Sequence, residues 1–263
     1  MRILRAAAAE IVREIQETYF YRMNLLGDFV VQVLLFGALL MFSGFHSIQG
    51  AYHVNRVGAR SLVLVGYLFW SYSSWAISAM GSNVASEAAR GTLEYKFTSI
   101  APPAVLLAGK AVGGMVTSTV FVAVVVAVID IAFRVTVSLA AGSFVALFLT
   151  LVGMYGVGIA FAGLALVAKR ISQVVSVVQI LLLVISGTMT PAASLPGLLR
   201  WVAMALPVTQ GIQVARLSVT QAHFGAFPWL ALSATSAVYL IVGLMVFQLL
   251  QRKAKANGLL GRY

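Results

Sequence analysis

The sequence predicts an all-α integral membrane protein with six transmembrane helices, an N-terminal amphipathic interface helix and short re-entrant or extracellular helices between spans five and six. Three observations predict it. Charged residues make up 10% of the chain and hydrophobic ones 61%, whereas ordinary soluble proteins are roughly a quarter charged. No Asp, Glu, Lys or Arg occurs in 29–55, 61–86, 111–129, 135–168, 171–199 or 217–251, and each window matches the roughly 20 residues that cross a hydrocarbon core. With the N-terminus placed in the cytoplasm, 13 of the 18 Lys and Arg residues fall inside and five outside, as the positive-inside rule requires of a chain with both ends cytoplasmic. The windows are continuously apolar rather than alternating, which argues against a β-barrel.

Three regions follow: an interface helix at 1–24, a transmembrane domain at 25–251 and a basic cytoplasmic tail at 252–263. In the first region, Leu4, Ala8, Ile11, Val12, Ile15 and Tyr19 share an arc of about 100° opposite Arg13, Glu14 and Glu17. A helix of that kind lies along a membrane surface. The apolar run begins only after it, so a cleaved signal peptide is not expected. The spans are expected near 25–45, 61–83, 111–133, 140–167, 171–190 and 228–250.

Residues 46–60 read as an outer loop, with His46 and His53 solvated because no third ligand stands near. Asp130 and Arg134 stand four apart at a span end and read as an interfacial ion pair. "GMYGVGIAFAG", Gly153 to Gly163, reads as a close-packing stripe, with Gly158 and Ala162 at small-xxx-small spacing. In 191–226, Pro191, Pro196 and Pro207 punctuate segments too short to span. Their leucines and Trp201 oppose full solvation, and re-entrant pieces are tolerated at depth only when buried in protein.

Little catalytic material is present. There is no cysteine, and no H-E-x-x-H or G-x-S-x-G motif occurs. Gly109-Lys110 lacks a P-loop, because Ala104 stands at the first glycine and Ala111 at the magnesium-binding hydroxyl. The chain therefore reads as no enzyme, with no cofactor of its own, and its cations follow topology rather than a nucleic acid.

The densest charge within the transmembrane domain lies in 84–110, around "SEAARGTLEYKFTSIAPP". On a helix, Glu87, Arg90 and Glu94 share one face. Exposed pairs of that kind stabilise by only tenths of a kcal/mol, about 0.2–0.5, so a docking surface for a soluble partner explains the acids better. Pro102 and Pro103 then end the helix.

These residues resemble the permease subunits of ABC-2 type exporters. "EAARGTLEYKFTSIAPPAVLLAGK", Glu87 to Lys110, is similar to that family's E-x-x-x-G-T-L-E…P…GK segment. "SGTMTPAASLPGLLRWVAMALPVTQGIQVAR", Ser186 to Arg216, is similar to its SG…P…LP…P…R segment. The resemblance implies a half-transporter in the cell membrane, paired with a second permease copy or paralogue and with two copies of a separate ATP-binding subunit carrying ATP and Mg. It makes Glu87, Arg90, Gly91, Thr92, Leu93, Glu94, Pro102 and Pro103 the coupling segment, and Arg13, Glu14 and Glu17 part of the interface helix. Pro191, Pro196, Arg200, Pro207 and Arg216 fall on the exit-side helices. Leu206-Pro207 stands where the polysaccharide branch often has Asn-Pro, which favours a drug, antibiotic or lipid-like substrate. A glycan exporter and a stand-alone secondary transporter are the alternatives. The latter has little support, since no internal repeat is visible and Asp130 alone reads as intramembrane charge.

Overall fold

The computed structural model describes residues 22–42, 45–89, 103–135, 137, 139–168, 171–221 and 224–256, with isolated positions 9, 12, 16 and 20 before them. Among these the chain forms nine α-helices, a short 3-10 turn at Ala192–Ser194 and no strand. The helices are α1 (Arg22–Phe42), α2 (Phe45–Tyr52), α3 (Arg56–Ala89), α4 (Pro103–Phe133) and α5 (Ala141–Ala165), then α6 (Ile171–Ile185), α7 (Gly197–Ala205), α8 (Pro207–Thr220) and α9 (Phe227–Ala256). The all-α membrane class is therefore the observed one.

Six full crossings are not. Four helical stretches are long and apolar enough to span: Arg56–Gly81, Gly109–Phe133, Ala141–Ala165 and Phe227–Ala254. The pair α1 and α2, bent by 76°, makes a fifth if taken as one broken span. The expected span at 171–190 is instead the 15-residue α6, roughly 22 Å long at 1.5 Å per residue, against a core of about 30 Å. It stops where Ser186 begins a turn and Gly187 adopts φ +84, a conformation that glycine reaches without the Cβ penalty.

Local chemistry accounts for several helix ends. Asn55 caps α3, its side-chain oxygen accepting from the Gly58 amide at 2.8 Å. Pro103 and Pro207 open α4 and α8 at the first helical turn, where the missing N–H is harmless. Phe45, Ile48 and Tyr52 give the expected loop 46–60 a one-sided apolar pattern, and the first part of it is α2, with Ile48 buried. Asp130 and Arg134 form no ion pair. The helix ends at Phe133; the Arg134 amide still bonds the Asp130 carbonyl at 2.9 Å, but Arg134 takes φ +52, which turns its side chain off the helical direction.

Helix α5 lies at the centre, packed on α3, α8 and α9, while α3 also meets α2, α4 and α6. Burial follows this order: 83% of the apolar window of α3 is buried, against 22% for α4 and for α9. The outer helices turn Val116, Val120, Ile131, Val238 and Leu249 outward, as a chain whose solvent is lipid does. Helix α8, too short to span, is buried along Val208, Thr209, Gly211, Ile212, Val214, Ala215 and Arg216. That is the condition under which such a piece sits at membrane depth.

The glycine stripe is a packing device. A Cβ at Gly156 would lie 2.5 Å from the Tyr239 carbonyl oxygen and 2.6 Å from the Leu240 Cα of α9. One at Gly158 would lie 2.8 Å from the Ala76 carbonyl oxygen of α3. Gly156→Ala should therefore destabilise the fold by about 1–3 kcal/mol through overpacking. Gly27→Ala, with nothing within 4 Å, should stay within about 0.5 kcal/mol of wild type. Thermal unfolding of the purified proteins in one detergent compares the two.

Candidate functional site

Two cavities carry the polar residues of the bundle's interior. The first begins with Arg216 on α8, which is 1% exposed. Its Nε donates to the Leu62 carbonyl at 3.0 Å, one terminal nitrogen to the Gly187 carbonyl at 2.8 Å and the other to the Thr188 carbonyl at 2.8 Å. One planar guanidinium thus joins α8, α3 and the turn that ends α6, a reach its fork geometry permits. No carboxylate among the described residues pairs with it; the Tyr52 ring lies 5.9 Å from its Cζ. Glycine at position 66 makes room, since a Cβ there would meet an Arg216 nitrogen at 2.6 Å and the Thr188 Cα at 3.1 Å. Tyr52, Ser186, Pro191, Thr209, Gln213 and Arg216 line a cavity of about 190 Å³ beside this node.

The second cavity, about 260 Å³, lies between α1, α3 and α6. Asp28, Val31 and Gln32 come from α1 at i, i+3 and i+4, Trp70, Ser74, Trp75 and Ser78 from α3, and Gln179 from α6. A hydrogen-bond network fixes this wall. The Gln179 amide donates to the Ser74 carbonyl at 2.8 Å and to Ser78 Oγ at 2.6 Å. Trp70 Nε1 donates to the Gln179 carbonyl at 2.8 Å. The Tyr67 hydroxyl reaches both the backbone carbonyl and the side-chain oxygen of Gln32. Ser74 Oγ is buried and has no partner.

The exit-side residues separate on this geometry. Pro191 and Arg216 line the first cavity together. Pro207 is buried against α5, where a Cβ at Gly153 would lie 2.9 Å from its ring. Pro196, the N-cap of α7, and Arg200 on it are exposed, alongside Leu198 and Trp201, each 78% exposed. An apolar face of that kind suits a bilayer interface, and Trp is enriched there. The Glu87 backbone belongs to the last turn of α3, and Pro103 opens α4. Arg13, Glu14, Glu17, Arg90, Gly91, Thr92, Leu93, Glu94 and Pro102 lie outside the described residues.

The family follows from a match that spans these features. The sequence fits the family model described as ABC-2 type transporter over residues 7–220. The chain belongs to the ABC-2 type transporter family. The match runs from ahead of α1 to the last residue of α8, so both cavities fall within it. No curated protein matches the chain. Membership makes the protein a multi-pass membrane permease, a transporter component of a family that normally works with an ATP-binding subunit.

Sequence reasoning named Arg216 as one of five exit-side residues, without its partners Leu62, Gly66, Gly187 and Thr188. Backbone carbonyls carry no sequence signature. Asp28 was legible but unread. It is the one acid inside the expected first span, and an ionisable residue within a membrane segment is a functional candidate by default. The reading of Asp130 as the sole intramembrane charge is corrected accordingly.

Replacing Arg216 by Met should orphan the Gly187 and Thr188 carbonyls and destabilise the permease by on the order of 3 kcal/mol. Arg216→Lys should not restore the loss, because one ammonium cannot span carbonyls on α3 and beyond α6. Unfolding curves of the two variants in the same detergent decide it.

Proposed function

We propose that this ABC-2 permease is the transmembrane half of an ATP-driven exporter that moves a hydrophobic or amphipathic molecule out of the cytoplasm or inner leaflet. The family match over 7–220 carries the reading. In the proposed assembly, two permeases, identical or paralogous, associate with two ATP-binding subunits that hold ATP and Mg. Both chain ends face the cytoplasm and the complex sits in the cell membrane.

The mechanism is rigid-body transmission between two discrete arrangements of the helices. ATP closes the ATP-binding subunits, and the segment Glu87 to Pro103 carries the movement into α3 and α4, which it joins. Helix α3 is the natural lever because it walls the larger cavity and holds Arg216 through the Leu62 carbonyl. A displacement of α3 against the turn after α6 is felt at Arg216, which bonds the Leu62 carbonyl on the one and the Gly187 and Thr188 carbonyls on the other. The cavity between α1, α3 and α6 then opens toward one side of the membrane or the other. A drug-like, antibiotic or lipid-like cargo suits a wall that combines indole rings with a few fixed polar groups.

Co-expression tests the reading. The permease should co-purify with an ATP-binding subunit, and reconstitution should raise ATP hydrolysis. Glu94→Lys should lower co-purification at least about tenfold by placing like charge on the docking face, with the permease still folded. Unchanged assembly and unchanged hydrolysis in Glu94→Lys would remove the coupling role from this segment.

A further inference from the structure

We propose that the cavity between α1, α3 and α6 binds an organic cation, and that Asp28 supplies its counter-charge. The inference deepens the transport reading by naming the chemical class of the cargo. Four features of the cavity point to this class.

The first is charge. Asp28 lines the cavity within the first membrane segment, and no basic side chain among the described residues pairs with it. Asp28 is exposed at the start of the broken span that begins at Leu26, and a carboxylate there faces either water or a cation held in the cavity. Metal is a poor occupant here: among the described residues no group of three His, Cys, Asp or Glu stands together, and a hard cation asks for several oxygen ligands at once.

Aromatic surface is the second feature. Trp70 and Trp75 line the same cavity, and the indole face is the strongest cation–π partner among side chains. Trp75 is braced by Phe121 at a centroid distance of 5.1 Å, and Trp70 by Tyr67 at 5.6 Å. Each ring is therefore packed against an aromatic neighbour. Carboxylate plus indoles is the combination that recognises a diffuse, weakly hydrated positive charge such as a quaternary ammonium or phosphonium.

Polarity inside an otherwise apolar wall is the third. Ser74 Oγ is buried without a partner although Gln179 and Ser78 beside it are bonded. Buried hydroxyls are normally satisfied, and a cargo hydroxyl or amine would complete this one. The fourth is size. About 260 Å³ holds a cationic centre with one or two of its aryl groups, and Val31, which is exposed, marks an open apolar margin over which further rings extend.

The test uses the purified permease in lipid nanodiscs, with radiolabelled tetraphenylphosphonium as the probe and empty nanodiscs as the blank. Saturable binding is expected, with triphenylphosphine oxide, a neutral relative, competing at least about tenfold more weakly. Asp28→Asn should weaken tetraphenylphosphonium binding at least about tenfold while leaving that of triphenylphosphine oxide unchanged; Asp28→Glu should stay within about threefold of wild type. Should Asp28→Asn not fold, Trp75→Leu carries the test, with a loss of about threefold or more expected from the missing indole face. Equal affinity of wild type for the cation and the neutral relative, or no change in both variants, overturns the proposal. Asp28-dependent binding in a permease that couples to no ATP-binding subunit would sink the exporter reading and leave the cation site standing.

Discussion

The close approach of α5 to three neighbours is the constraint on which the rest of the bundle depends. Lipid tails are as apolar as leucine, so no hydrophobic force drives helices together inside a bilayer. What remains is dispersion and backbone contact, and both need small residues at the crossing. Gly153 admits the ring of Pro207 from α8, Gly156 admits the α9 backbone at Tyr239 and Leu240, and Gly158 admits α3 at Ala76 and Met80. On α9, Gly243 answers by receiving the backbone of Gly156. These glycines thus admit three different helices to one, which sets the positions of the others.

That arrangement makes α3 the most buried of the spanning helices and places both polar sites on it. Toward its start, Leu62 and Gly66 meet Arg216. Further along, Trp70, Ser74, Trp75 and Ser78 form a wall of the larger cavity. The two sites differ in how far their polar groups are satisfied. Arg216 is met by three backbone carbonyls and reads as a strut. Asp28 and Ser74 have no protein partner among the described residues, which is what a ligand site leaves open. One helix thus bears the strut near its start and the binding wall in its middle.

Much of the architecture was legible in the residues. Long charge-free windows gave the helices, the glycine run announced tight packing, and the prolines of 191–226 marked pieces too short to span. The errors have physical causes. The expected loop at 46–60 begins as a helix because Phe45, Ile48 and Tyr52, at i, i+3 and i+7, share one face that packs on the core; a pattern of two turns is too short to be told from a loop without that surface. The expected fifth span stops after 15 residues because the Gly187 turn is held by Arg216 from another helix. Asp28 stands one residue before the charge-free window 29–55, so the absence of charge along that window does not show it.

The sequence by itself determined the class of the protein: its solvent, its helical content and the absence of a P-loop within the chain. These depend on composition and on patterns along the chain, where neighbouring residues suffice. Only the tertiary structure decided which polar groups are satisfied and which are left open. Arg216 and Asp28 are each a single charge in an apolar stretch, alike when read along the chain. One finds three carbonyls contributed by α3 and the turn after α6, while the other finds a cavity walled by indoles. Pairing of that kind is set by contacts between residues far apart in the chain, and helix packing alone brings them within reach.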